Sequence, residues 1–362
     1  MRLRGGVGFL SACLALVCGC RSLGPSALRV TYPQYNDVLA RNLNQELLLN
    51  LVRQKYRDTP FFLDVTNITS SETVVGRANV SADLLIDPFS GGIIKPGIEG
   101  TYSQTPTLSF APVQGEDFLK KLMSPIPVST LVLLTQTWGS IPRVFTLCLE
   151  HINGIDNAAR ASLLLPEWVP HPEKFQRLVG LLGELQQADL LQFGRTDKGK
   201  DAEFLLQIKE SPPYAERIRE VKEILGLPAG KNTFILTDSS VQGDADRLVV
   251  RTRPVLGVLA FLSNGVAAPP EDLKSGLVTV VRNPDGSEYD WSKVTGTLIR
   301  VHSSKKKPGN AYVAILYRGS WFYIRDDDQN SKATFYTVYL LFRLQEAQPS
   351  QSLPILTIPV IR

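Results

Sequence analysis

The sequence predicts an α+β protein, in which a helical and meander region precedes a mixed region with a mainly antiparallel sheet. Near the start of the chain, leucine recurs every fourth residue, and several later segments have the apolar spacing of helices. After about residue 188, short runs rich in β-branched and aromatic residues alternate with single helical segments. The chain is 43% hydrophobic and 20% charged, which is typical of a globular protein and excludes a disordered or fibrous one.

The first region, residues 31–188, is expected to open with an amphipathic helix over residues 37–56. The helix is expected to end before Pro60, because proline restricts the backbone of the residue before it. The apolar stripe of this helix consists of Leu39, Leu43, Leu47, Leu48, Leu51 and Val52. Three strands that form a small sheet or meander are then predicted at 61–65, 74–86 and 101–110. Helices are predicted at 119–123, 128–136, 141–152, 158–164 and 174–187.

The second region, residues 189–362, is expected to contain most of the sheet. Its predicted strands are 190–193 and 203–209 as a hairpin, then 233–237, 247–251, 298–302, 312–317, 320–324 and 355–360. Its predicted helices are 214–225, 254–262 and a last one that Ser331 caps and that reaches about residue 344.

The hairpin at 312–324 is unusually aromatic, and apolar residues fall on both of its faces. We therefore expect both faces to be covered, as in a central strand pair, with Trp321 in the core. The alternative is an aromatic face left open for a partner.

Charge and cysteine content narrow the class of protein. Lys plus Arg is 39 and Asp plus Glu is 35. Without Arg2 and Arg4, which lie in a segment that we expect to be removed, the positive excess falls to two, which argues against a nucleic-acid partner. Three of the four cysteines lie in the first twenty residues, so the body, with Cys148 alone, has no disulfide framework.

The first twenty residues have the plan of an export signal. Residues 1–4 are basic, residues 5–17 are apolar and too few to span a bilayer comfortably, and Val17-Cys18-Gly19-Cys20 follows. This segment resembles the signal peptide of bacterial lipoproteins, in which an aliphatic residue and two small residues precede the acylated cysteine; Cys18 is an unusual middle residue. The resemblance implies removal of residues 1–19, a lipid on Cys20 and a short linker at 20–30 before the globular body.

Alternatives to Cys20 remain open. Leu10-Ser11-Ala12-Cys13 matches the motif locally but leaves a shorter apolar run, and Cys18 would need bulky Val17 before the cut. Plain secretion or a retained helix is a further alternative. Because Arg21 rather than Asp follows Cys20, the resemblance implies the periplasmic face of the outer membrane if the host is Gram-negative.

Three stretches of the body, NLVRQKYRDTPFFLDV, PVQGEDFLKKLMSPIP and YRGSWFYI with SKATF after it, resemble segments of predicted bacterial envelope proteins of unknown function. This resemblance implies no activity.

Motifs for catalysis or metal binding are incomplete. Residues 194–201 fit a phosphate loop up to Lys200, but Asp201 replaces the magnesium-binding hydroxyl and a strand follows, so a charged hairpin loop is expected. Asp326, Asp327 and Asp328 lack the glycine and glutamate of a calcium loop and indicate an acidic turn.

Nucleophiles and bases are also sparse. His151, His171 and His302 have no partner at zinc-ligand spacing, and a triad of His302 with Ser303 or Ser304 stays a minor alternative. Cys148 lies in an apolar run and is expected to be buried and unreactive. The lysines at 305–307 are expected in a solvated loop, with lipid-headgroup contact as the alternative.

We therefore expect a non-enzymatic lipoprotein that is anchored to the membrane through its N-terminal lipid and presents a binding surface to an envelope partner. No catalytic, cofactor-binding or metal-binding residue is predicted. The alternative is a lipid-anchored hydrolase of envelope polymers. A deep pocket with His302 or His151 beside a carboxylate and a hydroxyl would favour that enzyme, whereas a broad exposed apolar patch would favour binding.

Overall fold

The computed structural model describes residues 23–82, 94–112, 116–137, 139–163, 168–196, 203–238 and 246–346. Cys13, Cys18 and Cys20 lie outside the described residues, as do the predicted strand at 355–360 and most of the loop at 194–201. The fold is α+β, and the chain divides into two compact units. Residues 61–115 form one unit; residues 1–60 and 116–362 form the other.

The smaller unit is a two-stranded antiparallel hairpin. Strand β1, Leu63–Ala82, pairs with β2, Ile94–Pro112, from Leu63 opposite Pro112 to Ala82 opposite Ile94. The sequence predicted three shorter strands here. The polar run at 66–73 indicated a break, but the backbone of β2 pairs along this run, so the strand continues through it.

Helix α1, Leu23–Lys55, opens the larger unit and contains the predicted helix. It starts inside the expected linker at 20–30, where Ala27 and Leu28 favour helix. Near its end one face is buried, through Leu47, Leu48, Leu51 and Val52. The earlier stripe residue Leu43 is 38% exposed, so only the last turns of the stripe belong to the core.

Short helices follow between residues 116 and 187. They are α2, Glu116–Met123; α3, Val128–Thr137; α4, Ile141–Cys148; a 3₁₀ turn, Ala159–Leu163; and α5, Glu173–Gln187. The predicted helix at 141–152 is wrong in its second half. Because residues 149–152 pair with a strand distant in sequence, they form β3, Leu149–Ile152, instead.

The main sheet contains β3 and five further strands: β4, Ile155–Asp156; β5, Leu191–Arg195; β6, Phe204–Ile208; β7, Thr233–Thr237; and β8, Arg247–Thr252. Their order in the sheet is β4-β3-β8-β7-β6-β5. Only β7 and β8 run parallel, so the sheet is mixed but mainly antiparallel. It takes strands from both sides of residue 188, where we expected one region to give way to the next.

One face of this sheet belongs to the core. Its buried side chains are Leu206, Ile208, Phe234, Leu236, Leu248 and Val250. Helices α6, Ala215–Leu225, and α7, Val255–Leu262, form as predicted, and nearly all of α7 is buried. The short helices α8, Pro270–Lys274, and α9, Ser292–Thr295, have no sequence prediction.

A three-stranded antiparallel sheet has the order β10-β11-β9, with β9, His302–Ser304; β10, Ala311–Tyr317; and β11, Ser320–Arg325. The strand predicted at 298–302 is misplaced. The amide groups of Leu298 and Ile299 donate to the carbonyl of Thr295, so this segment turns before β9 begins.

Burial alternates along β10 and β11. Val313, Ile315, Phe322 and Ile324 are buried, whereas Leu316 is 59% exposed and Trp321 and Tyr323 are half-buried. The expectation of two covered faces, with Trp321 in the core, is therefore wrong. The end of α1 contacts the inner face, because the Tyr56 ring meets Tyr317 and Phe322 edge to face.

The last helix, α10, is Gln329–Glu346 and buries Phe335, Val338, Leu341 and Phe342. Ser331 lies within it and does not cap it. The Asp328 carboxylate accepts from the Ser331 amide at 3.0 Å and takes the capping role. Within the described ranges, we find no helix that combines the length and apolar character needed to cross a membrane.

Candidate functional site

The structure places the candidate histidines in structural surroundings. His151 Nδ1 lies 3.8 Å from the Asp156 carboxylate across neighbouring strands. The His302 ring stacks on Tyr323, with 5.4 Å between ring centres, and the neighbouring Ser304 hydroxyl donates to the carbonyl of Lys306. His171 is exposed before α5. The structure thus brings neither predicted serine partner into hydrogen bonding with His302.

The carboxylates of the acidic turn contact residues close to them in the chain. Asp326 pairs with Lys332 at 2.9 Å, Asp327 pairs with Arg325, and Asp328 accepts from Ser331. Hydrogen bonding to Arg325 lowers the pKa of Asp327. Among the side chains that the structure describes, no three His, Cys, Asp or Glu groups converge as metal ligands would.

Cys148 is fully buried at the end of α4, as predicted. Burial raises the pKa of its thiol to about 12, because the thiolate would lose its hydration. A thiol in this state is a packed apolar group and a poor nucleophile.

The lysine loop is more constrained than the sequence indicated. The Lys305 ammonium contacts the carboxylate of Glu271 and lies 3.1 Å from the Ser320 hydroxyl. Lys307 lies 5.5 Å from the centre of the Trp321 ring. Both side chains are exposed, but they contact the protein as well as solvent.

The chief candidate site is a cleft of about 370 Å³ beside the end of α1, which we call the Lys55 cleft. It lies between that helix end, the turn after α7, the segment 279–281 and the chain through α9. Its main lining groups are Lys55, Asn264, Thr279, Glu288, Tyr289, Asp290, Trp291 and Arg300. A smaller cavity shares Lys55 and Trp291 with it and adds Arg160 and Trp168.

Lys55 is the unusual group of this cleft. Its side chain is half-buried, and burial lowers the pKa of the ammonium to about 8, against a smaller opposing effect of Glu288. The structure gives the ammonium no hydrogen bond or ion pair with another described side chain. Removing a charged group from water without a partner costs folding free energy. Charged groups in this state are found mostly at binding and catalytic sites.

Neighbouring residues hold the helix end in place. The Tyr56 hydroxyl donates to the buried Asp272 carboxylate at 2.5 Å, and burial raises the pKa of Tyr56 well above its usual value. Asp58 accepts hydrogen bonds from Tyr317 and, at 2.9 Å, from Arg318. These contacts fix the end of α1 to the three-stranded sheet and to α8, so the backbone that carries Lys55 is well anchored.

An aromatic pair forms one side of the cleft. Tyr289 and Trp291 meet edge to face, with 5.2 Å between ring centres, and both are half-buried. Burial raises the pKa of Tyr289 to about 12, so it stays neutral near pH 7. The cleft therefore combines a neutral aromatic side with a desolvated cation.

The carboxylates in the cleft already have partners. Glu288 lies 4.0 Å from Arg282, and Asp290 accepts from the Ser292 amide at 3.0 Å at the start of α9. By contrast, neither Arg160 nor Arg300 has an ion pair with a described residue. The two cavities are thus lined by three cations and two carboxylates, an excess of one positive charge.

A second groove, of about 460 Å³, lies between the ends of α3 and α5. Its polar groups are largely occupied by the fold. Gln186 accepts from the Ile141 amide at 2.7 Å, and Gln136 donates to the Phe193 carbonyl at 3.2 Å. This groove has no unusual titratable group, so it is the weaker candidate.

Comparison with known proteins found no family model, no curated protein and no solved structure that matches this chain. Sequence reasoning did not identify the Lys55 cleft, because Lys55 reads as an ordinary polar residue at a helix end. The one local signal is the aromatic pair Tyr289 and Trp291 within a polar loop.

Proposed function

We propose that this protein is a lipid-anchored, non-enzymatic protein of the bacterial envelope, which presents a binding surface to another envelope component. The Lys55 cleft is the central part of that surface. The single observation that carries the binding role is the desolvated, unpaired ammonium of Lys55 in a cleft large enough for a small molecule or a chain end.

The anchor in this proposal rests on the sequence alone. The basic start, the apolar run and Val17-Cys18-Gly19-Cys20 support attachment of lipid at Cys20. We expect Cys20→Ser to abolish incorporation of labelled fatty acid and to release the protein from membranes. Persistent labelling of that variant, with loss of label in Cys13→Ser instead, would contradict the assignment.

The binding role is tested in native membranes with a photoreactive amino acid in place of Thr279, which lines both cavities. We expect irradiation of the full-length protein to give a covalent adduct with an envelope molecule. The matched control carries the same amino acid in place of Gln187, which lines the polar groove. No adduct at position 279, or the same adduct at both positions, would contradict the proposal.

A lipid-anchored hydrolase remains the second candidate, and one observation favours it. His151 lies 3.8 Å from the Asp156 carboxylate and both side chains reach solvent; a catalytic pair would require this distance to shorten to a hydrogen bond when substrate binds. Hydrolysis of envelope polymer by the purified protein, abolished by His151→Gln, would support this candidate over the first.

A further inference from the structure

We propose that the Lys55 cleft binds a small organic anion, whose carboxylate or phosphate group pairs with Lys55 while its ring or hydrocarbon part packs against Trp291. This inference rests on the proposed binding function and specifies the chemistry of the ligand.

The Lys55 ammonium has no ion-pair partner among the described residues. Lys55 ends α1 with its side chain half-buried, and no described carboxylate pairs with it. An anion that entered the cleft would replace lost hydration with a charge-assisted hydrogen bond. The lowered pKa of about 8 agrees with this account, because it reflects burial that the fold itself does not compensate.

The charged groups around Lys55 also favour an anionic ligand. Glu288 lies 4.0 Å from Arg282 and affects the pKa of Lys55 less than burial does, and Asp290 accepts from the Ser292 amide; neither carboxylate forms an ion pair with Lys55. Arg160 and Arg300 add positive charge at the two cavities. Lys55, Arg160 and Arg300 outnumber Glu288 and Asp290 by one charge, so the two linings together favour an anion over a cation.

The size and apolar lining of the cleft suit a small organic molecule. The volume of about 370 Å³ is within the range of small-molecule sites. Trp291 lines both cavities, and Val281 and Ala267 extend the apolar lining. This combination suits a molecule that carries its charge at one end and an apolar or ring group at the other.

The test is calorimetric titration of the purified full-length protein at pH 7 and low salt. The probes are phenyl phosphate, benzoate and the neutral benzyl alcohol. We expect saturable binding of at least one anion, with benzyl alcohol about tenfold or more weaker, since only the anions pair with the ammonium. A preference between the two anions would identify the charged group that the cleft selects.

Matched variants locate the site. Lys55→Met should weaken anion binding about tenfold or more, whereas Lys306→Met, which removes the same charge from an exposed loop, should leave it unchanged. Trp291→Leu should weaken phenyl phosphate binding more than inorganic phosphate binding. Binding of benzyl alcohol as tight as that of both anions, or anion binding unaffected by Lys55→Met, would overturn the inference.

The two proposals fail in different ways. If the Thr279 cross-linker captures an envelope molecule while neither anion binds, the organic-anion inference is wrong and the binding function stands. If neither a cross-link nor anion binding occurs, both proposals are wrong. Melting curves of Lys55→Met show whether a loss of binding reflects a loss of folding.

Discussion

Among single residues, Lys55 links the physical cost of a buried charge to a testable pH dependence. Its pKa is about 8 in the folded protein and 10.5 for an ordinary lysine. Between pH 8 and 10.5 the unfolded chain therefore binds more protons at this position, and the contribution of Lys55 makes stability rise with pH in that window.

Lys55→Met should consequently stabilise the protein near pH 7, because it removes a desolvated cation without removing apolar contacts. We expect its melting temperature to exceed that of the wild type at pH 7, and the difference to shrink as pH rises from 8 to 10.5. The control is Lys306→Met, which removes a lysine from an exposed loop. A Lys55→Met variant less stable than the wild type at pH 7 would mean that the ammonium has a structural partner.

Trp321 and its neighbour Phe322 make a matched pair on opposite faces of β11. Phe322 is 0% exposed, whereas Trp321 is half-buried beside Lys307. We expect Phe322→Ala to lower the free energy of unfolding by about 3–5 kcal/mol, and Trp321→Ala by much less, because only the first empties a core position. Denaturant titrations measure the free energy of unfolding of both variants. Equal decreases would show that the face of β11 that carries Trp321 is also covered.

Arg253 is a fully buried cation with a structural role. Its guanidinium donates to the carbonyls of Leu149 and Asn157 and lies 4.0 Å from the centre of the Phe261 ring. Burial lowers its pKa to about 10. We expect Arg253→Met to destabilise by about 3 kcal/mol or more, because buried carbonyls lose their donors. A change below about 1 kcal/mol in urea unfolding would contradict this role.

At the scale of secondary-structure elements, the local spacing of apolar residues predicts the positions of most helices and strands correctly. The apolar spacing of residues 174–187 and 215–225 suffices for α5 and α6, since these helices bury one stripe each. The errors occur where distant pairing decides the structure. Residues 149–152 have a helical pattern but become β3, because β8 lies beside them and supplies hydrogen bonds.

The start of α10 shows how local chemistry can mislead. Ser331 is a good capping residue in sequence, yet Asp328 caps the helix, and the Ser331 hydroxyl accepts from the Arg300 amide at 2.9 Å. We expect Asp328→Ala to cost about 1 kcal/mol, the usual effect of losing a cap. Thermal unfolding measures this, with Asp326→Ala as a surface control in the same turn. An unchanged melting temperature for Asp328→Ala would contradict the assignment.

At the scale of the whole molecule, the candidate site illustrates the limit of sequence reasoning. The Lys55 cleft combines a helix end near residue 55 with segments between residues 264 and 300, and the smaller cavity adds a turn near residue 160. No local motif records that these segments meet, and the desolvation of Lys55 exists only in the folded chain. The sequence could predict the fold class and a buried Cys148, because both follow from local composition.

The most direct test of the account is an NMR titration of the full-length protein after reductive ¹³C-methylation of its lysines. The signal of Lys55 is identified by its absence in Lys55→Met. We expect this signal to titrate near pH 8, below the 10.5 of an ordinary lysine, and its pKa to rise when phenyl phosphate is added, because a bound anion favours the charged ammonium. Titration of Lys55 near pH 10.5, unaffected by either phenyl phosphate or benzoate, would contradict the account.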